Sequence, residues 1–242
     1  SASSNSNGSI TSSVSANTDA GFSIVSYTGN ATNGATVGHG LSSAPQMVIT
    51  KARASSGSWQ VLTNIYPSYS EGDFIYLNET AAKANSANVS FLPTSTTWQM
   101  KSGQAGNVAT TQIAYCFHSV QGYSKFGNYT GNGNADGTFI YTGFKPAFFL
   151  GKRTNSTGEW FLLDNRRSNS FNPQDRILEP NSSSADISGA SYKYDFVSNG
   201  IKIRTTSGAY GNGSGDTFIY MAIAENPFVT STANGSIPAT AR

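Results

Sequence analysis

Residues 21–30 read GFSIVSYTGN, and residues 122–132 read GYSKFGNYTGN. Both stretches open on Gly-aromatic-Ser and end on Tyr-Thr-Gly-Asn, with one short stretch between the two motifs. A segment that recurs within one chain constrains the architecture before any single strand is assigned. The recurrence therefore predicts two diverged copies of one unit, beginning near Gly21 and Gly122.

The correspondence continues along both halves of the chain. Pro45 and Pro146 each lead into an apolar run that ends in a Lys/Arg pair, and Trp59 and Trp160 follow at the same spacing. The apolar runs that close the two copies also correspond, and they are 113–117 (IAYCF) and 219–223 (IYMAI). So many landmarks in the same order indicate a duplication of the whole unit.

Within each copy, short runs rich in Phe, Tyr, Ile and Val are separated by Gly-Asn, Asn-Gly and Ser-Gly turns. Helical periodicity is almost absent. Short strands separated by turns at this spacing are typical of a sandwich or a barrel. We predict an all-β chain of two tandem β-sandwich-like units packed together, and one interleaved β-sandwich is the alternative.

The predicted organisation has four parts. Residues 1–20 are small and polar apart from isolated Ile10 and Val14, which predicts a flexible linker or an extended arm lying on a neighbour. Because the chain opens in such a tract, we expect it to be the C-terminal part of a longer protein. The remaining parts are repeat 1 (21–121), repeat 2 (122–228) and a polar C-terminal tail (229–242).

Charge and cysteine content argue against several partners. Charged residues are 12% of the chain and the net charge is +2, whereas nucleic-acid binding needs a contiguous basic stripe. No apolar run approaches the roughly 20 residues that cross a bilayer. We therefore expect no nucleic-acid partner and no membrane insertion. The single cysteine, Cys116, lies in a strand-like run and is predicted to be a small buried hydrophobe.

Candidate catalytic residues are few. Catalysis by paired carboxylates needs two acids within roughly 5 to 10 Å, and most acids here lie beside turn-forming residues, where they commonly only shape the turn. His39 and His118 have no counterparts in the second copy, and no spacing resembles a zinc, iron or calcium site. We predict no enzyme, no cofactor and no metal, with a polysaccharide depolymerase as an alternative. The candidate acids are Glu71, Asp73, Asp164, Asp175, Glu179, Asp186 and Asp195.

Neutral polar loops and aromatic side chains are the remaining binding features. Saccharide recognition commonly places an aromatic ring against the apolar side of a sugar and uses amides and hydroxyls for its polar groups. Aromatics kept in both copies, such as Trp59 and Trp160, are predicted to be core residues, whereas loop aromatics without a counterpart are better ligand candidates. The predicted ligand-binding residues are Tyr66, Tyr69, Asp73, Tyr210 and Asn212.

Longer strings of residues carry a family resemblance, and they include 34–41 (GATVGHGL), 114–120 (AYCFHSV), 122–127 (GYSKFG), 224–228 (AENPF) and 237–242 (IPATAR). The chain resembles, over residues 15–242, a family of uncharacterised β-rich domains in large virion proteins of marine tailed bacteriophages. Such domains often end the polypeptide, behind lectin-like sandwich modules.

This resemblance implies a tail-fibre, tailspike or other appendage on the virion surface, outside the cell. It implies attachment to a host-surface glycan or protein, with further copies of the chain and other virion proteins as partners. A homotrimer is expected from the class, and the resemblance supplies no catalytic residues. The alternative is a structural domain that decorates the virion or joins fibre subunits without contacting a receptor.

Overall fold

The computed structural model describes residues 1–168, 171–189 and 191–227, together with the backbone of 229–232 and 235–238. The chain divides into two compact units, Ser1–His118 and Ser119–Arg242. Each sheet formed by these residues takes all of its strands from one unit. The all-β prediction is confirmed, and the strands form two β units instead of one interleaved sandwich.

The first unit consists of two antiparallel sheets. An eight-stranded sheet has the order β1-β2-β3-β11-β5-β6-β7-β8, and a three-stranded sheet has the order β4-β10-β9. A short 3-10 helix, η1, spans Ala105–Asn107. The strands are β1 (Ser3–Asn5), β2 (Ser12–Asn17), β3 (Phe22–Thr28), β4 (Ala35–Gly38), β5 (Met47–Ala52), β6 (Gln60–Thr63), β7 (Asp73–Tyr76), β8 (Ala84–Asn85), β9 (Leu92–Pro93), β10 (Thr97–Met100) and β11 (Thr111–Phe117).

The core of the first unit lies between its two sheets. Burial alternates along β11, so that Ala114 and Cys116 face inward while Tyr115 between them is half-buried. Val25 from the large sheet and Trp98 from the small sheet meet them in one apolar cluster. Cys116 is fully buried there, as predicted, and burial raises the pKa of its thiol.

The second unit repeats this plan. A four-stranded sheet has the order β12-β20-β14-β15, a three-stranded sheet has the order β13-β19-β18, and two pairs of short strands are β16-β17 and β21-β22. An irregular turn, η2, spans Gly208–Asn212. The strands are β12 (Ser124–Thr130), β13 (Phe139–Tyr141), β14 (Pro146–Arg153), β15 (Trp160–Asp164), β16 (Arg176–Ile177), β17 (Ile187–Ser188), β18 (Tyr194–Val197), β19 (Gly200–Ile203), β20 (Thr217–Ala224), β21 (Val229–Thr232) and β22 (Gly235–Pro238).

Strand order shows that the duplication is complete. The series β12-β20-β14-β15 matches β3-β11-β5-β6, and β13-β19-β18 matches β4-β10-β9. Leu178, which precedes β17, forms a bridge with Leu162 of β15. It therefore lies beside β15 in the position that β7 occupies beside β6 in the first unit. The core of the second unit again lies between its two sheets, and Phe149, Phe161, Ile201 and Phe218 are among its members.

The N-terminal segment differs from the prediction of a linker or of an arm on a neighbour. β2 pairs along the whole of its length with β3, and Ile10 forms a parallel bridge with Val37 of β4. Ile10 and Val14, which look isolated in the sequence, are each only 7% exposed and belong to the core of the first unit. Residues 1–17, called the arm below, are therefore part of the first unit.

The C-terminal tail was predicted to be polar and to begin after Phe228. The backbone of β21 and β22 pairs there as an antiparallel hairpin. Phe228, 233–234 and 239–242 lie outside the described residues, and so does the predicted boundary.

Matched lysines close matched loops in the two units. Lys51 donates a hydrogen bond from Nζ to the carbonyl oxygen of Gly57 at 2.6 Å, and Lys152 donates one to the carbonyl oxygen of Gly158. Lys152 is fully buried, and that burial lowers the pKa of its ammonium to about 8. The recurring Lys/Arg pair thus begins with a residue that supports the fold.

The matched tryptophans are held by matched asparagines. The backbone N–H of Trp59 donates to Oδ1 of Asn78 at 2.7 Å, and that of Trp160 donates to Oδ1 of Asn181 at 2.9 Å. Trp160 is 2% exposed, which confirms it as a core residue. Trp59 is only half-buried and stacks on Tyr115 at 6.1 Å between ring centroids.

Candidate functional site

Two predicted ligand-binding residues of the first unit, Asp73 and Tyr66, lie around one lysine. Oδ2 of Asp73 lies 2.6 Å from Nζ of Lys83, and Nδ2 of Asn85 donates to Oδ1 of Asp73 at 2.8 Å. Nζ of Lys83 also lies 5.2 Å from the ring centroid of Tyr66. Burial, and then the nearby carboxylates of Glu71 and Asp73, raise the pKa of the Tyr69 hydroxyl to about 12.

This cluster mostly serves the fold. Asp73 is 1% exposed, and although burial by itself would raise its pKa, the hydrogen bonds from Lys83 and Asn85 hold the pKa below its ordinary value. Tyr66 is 4% exposed, and burial raises the pKa of its hydroxyl well above the usual range. Tyr69 is half-buried and donates to the carbonyl oxygen of Phe91 at 2.7 Å. Asp73 and Tyr66 therefore offer little surface to a ligand.

Tyr210 lies at the centre of the turn η2 in the second unit. It is half-buried, its hydroxyl donates to Oε1 of Glu179, and its ring meets the edge of Tyr192 at 5.1 Å between centroids. Burial and the nearby carboxylate of Glu179 raise the pKa of its hydroxyl. Tyr210 is partly accessible, but its hydroxyl is already engaged.

Asn212 is a scaffold residue. It is fully buried, and its Nδ2 donates to the carbonyl oxygens of Asn134 and Thr205, both at 2.7 Å. Its Oδ1 accepts a hydrogen bond from the backbone N–H of Asn132 at 3.0 Å. Asn107 holds the matching loop of the first unit in the same way. Since both amide hydrogens and the oxygen are engaged inside the unit, Asn212 has nothing left to offer a ligand.

The candidate catalytic acids are largely neutralised by cations. Five of the seven lie in ion pairs, and hydrogen bonds together with the paired cations hold the pKa values of Glu71, Asp73 and Asp164 below their ordinary values. A general acid in glycoside hydrolysis requires a raised pKa instead. The five pairs are Glu71–Lys101, Asp73–Lys83, Asp164–Arg167, Asp186–Arg176 and Asp195–Arg204.

His39 is buried in the first unit. Its Nδ1 accepts a hydrogen bond from the backbone N–H of Leu41 at 3.0 Å, so its Nε2 carries the proton and faces the carbonyl oxygen of Thr94 at 3.2 Å. Burial lowers the pKa of the ring, and the neighbouring His118 lowers it further. The neutral imidazole is therefore a structural group.

The first unit is expected to lose stability as the pH falls below the ordinary histidine pKa of about 6.5. The folded pKa of His39 lies lower, so in this window the unfolded chain binds a proton that the folded unit rejects. Urea unfolding between pH 7.5 and 5.0, followed by hydrogen exchange of each unit, checks this.

The second unit contains no histidine and serves as an internal control. His39→Asn, which keeps an acceptor for Leu41, should remove most of the loss, and an unchanged pH profile in that variant contradicts the assignment.

Two aromatic side chains project from β13 of the second unit. Phe139 is 43% exposed and Tyr141 is 59% exposed, while Ile140 between them is buried. Residues two apart on a strand point to the same side, about 7 Å apart. The two rings therefore form one exposed aromatic surface at the edge of the small sheet.

The matching surface of the first unit is covered by the arm. Cross-strand pairing in the two small sheets makes Thr36 the equivalent of Phe139, and Gly38 the equivalent of Tyr141. The backbone N–H of Ser9 donates to Oγ1 of Thr36 at 2.9 Å, and a Cβ on Gly38 would lie 2.1 Å from Oδ1 of Asn5. The second unit thus has large aromatic side chains at the two positions where the first unit has small residues covered by the arm.

Two further residues shape this surface. A Cβ on Gly200 would lie 2.9 Å from the ring of Phe139, so the glycine leaves room for the ring to lie over the neighbouring strand. Nζ of Lys125 lies 5.1 Å from the ring centroid of Tyr141 and donates to its carbonyl oxygen at 3.0 Å. Phe139, Tyr141, Gly200 and Lys125 are called the aromatic face below.

The sequence interpretation missed this face because its aromatics lie in a strand and not in a loop. Two signals mark it. The order Phe-Ile-Tyr around a single aliphatic residue indicates outward aromatics if Ile140 is the inward position. The mismatch of Phe139 with Thr36, and of Tyr141 with Gly38, marks a position where the copies differ.

The described residues contain neither a metal-binding cluster nor a membrane-spanning helix. No group of three or more His, Cys, Asp or Glu side chains in 1–168, 171–189 and 191–227 could hold a metal ion. In the same part of the chain, no helix is both long and apolar enough to cross a membrane.

A family model described as "Domain of unknown function (DUF7483)" matches residues 1–227, which include the arm and the body of both units. No curated protein and no solved structure matches the chain.

Proposed function

The chain belongs to the DUF7483 family of domains of unknown function, and from its own residues we propose that it is a non-enzymatic attachment domain. It binds a host-surface glycan through the aromatic face of its second unit. We further propose that it does so on a tail fibre or spike of a phage virion, as the sequence resemblance implies.

The open aromatic face is the observation that carries this proposal. Phe139 and Tyr141 are exposed side by side on one strand, and a contiguous exposed apolar patch marks a binding site, whereas singly exposed apolar side chains are common on protein surfaces. In the first unit the equivalent edge is closed by the arm. An extended saccharide lying along β13 can contact both rings and leave its hydroxyls toward solvent and the strand edge.

The state of the acids supports a binding role over the depolymerase alternative. Asp73 and Asp164 are held ionised by Lys83 and Arg167. A pair of carboxyls that share acid and base roles needs pKa values that are pushed apart. The pKa values of Asp73 and Asp164 are both lowered, so these two carboxyls do not divide the roles of general acid and general base.

The proposal is tested by binding of the purified protein to a glycan array and to whole cells of susceptible bacteria. The double variant Phe139→Ala/Tyr141→Ala is expected to bind at least about 30-fold more weakly, the effect of removing a central aromatic contact of roughly 2 kcal/mol. Its unfolding should change little, since both side chains already face solvent.

Phe171→Ala is the matched control. Phe171 is 66% exposed in the same unit but lies under Lys145 and outside the aromatic face, so its loss should leave binding unchanged. Equal losses in the two variants, or no binding of the unaltered protein to any glycan or cell, would contradict the proposal. In the latter case a structural role among virion proteins becomes the better explanation, and antibody labelling of particles would locate the domain.

A further inference from the structure

Lys125 brings a positive charge to the aromatic face without an acidic partner. Its Nζ donates to the carbonyl oxygen of Tyr141 at 3.0 Å and lies 5.1 Å from the centre of that ring. Among the described residues, no carboxylate lies within 4.0 Å of it. In the described part of the chain, the ammonium of Lys125 is therefore held by a neutral carbonyl oxygen and an aromatic ring, and not by an acid.

Neighbouring lysines of the same unit are arranged differently. Lys145 lies 2.6 Å from a carboxylate oxygen of Glu225. Lys202, which is cross-strand from Phe139, lies 2.6 Å from Asp136, whose side chain is 82% exposed. An ion pair as exposed as that of Lys202 contributes little and opens readily. Two ammonium groups thus border the face, one without an acid and one with a weakly held acid.

We infer that the aromatic face takes an anionic saccharide, with Lys125 as the residue that selects its charge. This inference rests on the proposed function and specifies its ligand class. The apolar side of the sugar lies against Tyr141 and Phe139, while its carboxylate or sulfate accepts a hydrogen bond from Nζ of Lys125. Charge-assisted hydrogen bonds of this kind are roughly twice as strong as neutral ones, and the aromatic contact supplies the remainder of the affinity.

The geometry places the two kinds of contact at one point. Lys125 lies on β12 and Tyr141 lies on β13, and these strands belong to different sheets. The ammonium and the aromatic ring that contact the ligand are therefore held by two separate sheets. A neutral sugar would leave Lys125 bound only to the carbonyl oxygen of Tyr141.

Polygalacturonate and its fully methyl-esterified form are suitable probes, because the same sugar ring carries a carboxylate in one and a neutral ester in the other. The unaltered full-length protein is expected to bind polygalacturonate about tenfold more tightly than the ester. This preference should shrink as sodium chloride is raised, because salt screens exposed charges. Lys125→Gln should bind both polymers alike, and Lys125→Arg should restore the preference.

Lys101→Gln is the charge-matched control, since Lys101 lies in the first unit and pairs with Glu71. If it lowers polygalacturonate binding as much as Lys125→Gln does, net charge alone explains the effect and the inference is wrong. Failure to bind polygalacturonate, or equal binding of acid and ester by the unaltered protein, also overturns it. Those outcomes leave the proposed function standing as long as Phe139→Ala/Tyr141→Ala still weakens binding on the array or on cells.

Discussion

Asn212→Ala is expected to lower the unfolding free energy of the second unit by about 3 kcal/mol. The substitution removes one buried and two partly buried hydrogen bonds, and it leaves the carbonyl oxygens of Asn134 and Thr205 and the N–H of Asn132 without their partner. Each buried polar group left unsatisfied costs roughly 1 to 3 kcal/mol. The expected value takes the low end for each group, because water can enter a loop near the surface.

Asn107 makes this prediction testable twice in one chain. It donates to the carbonyl oxygen of Thr32 at 2.8 Å and accepts from the N–H of Asn30 at 3.2 Å. Asn107→Ala should therefore destabilise the first unit and leave the second unchanged, in mirror image of Asn212→Ala. Hydrogen-exchange mass spectrometry in increasing urea assigns the loss to one unit or the other.

Asn199→Ala is the matched control for the second unit. Asn199 is exposed in the turn between β18 and β19, and surface substitutions usually change stability by less than about 0.5 kcal/mol. The scaffold assignment of Asn212 fails if its variant is no less stable than Asn199→Ala. Such a result would return Asn212 to the ligand candidates.

The duplication was readable from the sequence because its landmarks are residues with few conformational or packing alternatives. Pro146, Trp160 and the run that forms β20 each constrain the backbone or the core strongly. Asn212 corresponds to Asn107, but the loops before these two asparagines differ in length between the copies. The two asparagines therefore do not align at the spacing of the other landmarks, and their correspondence is not apparent from the sequence. Asn212 and Asn107 are a further pair of shared positions, and both hold the scaffold of their unit.

The aromatic face was harder to predict because exposure is a property of the whole unit. Phe139 and Tyr141 are ordinary strand residues by propensity, and they face solvent because no described strand or bridge covers β13 as the arm covers β4. Nothing within residues 139–141 records that absence. Only the comparison with Thr36 and Gly38, which lie beneath the arm, reveals that one edge is closed and the other is open.

The arm itself shows how composition can mislead. A tract dominated by Ser, Asn and Thr reads as a linker because it has too little apolar surface to order itself. Here the surface that orders it belongs to β3 and β4, and the arm adds only a few apolar contacts and a ladder of backbone hydrogen bonds. Pairing with the next strand and a single bridge to β4 leave no periodic apolar signal in the arm.

Ile10→Ala/Val14→Ala is expected to destabilise the first unit by about 4 kcal/mol, since truncation of a buried aliphatic side chain typically costs 2 kcal/mol or more. Both side chains are 7% exposed and contact the core of that unit. Protection of the amides of β3 should fall together with that of β2, because the two strands share one ladder. Ser15→Ala, at an exposed position of β2, should have little effect. If the double variant unfolds like the unaltered protein, the arm contributes no stability and is a linker after all.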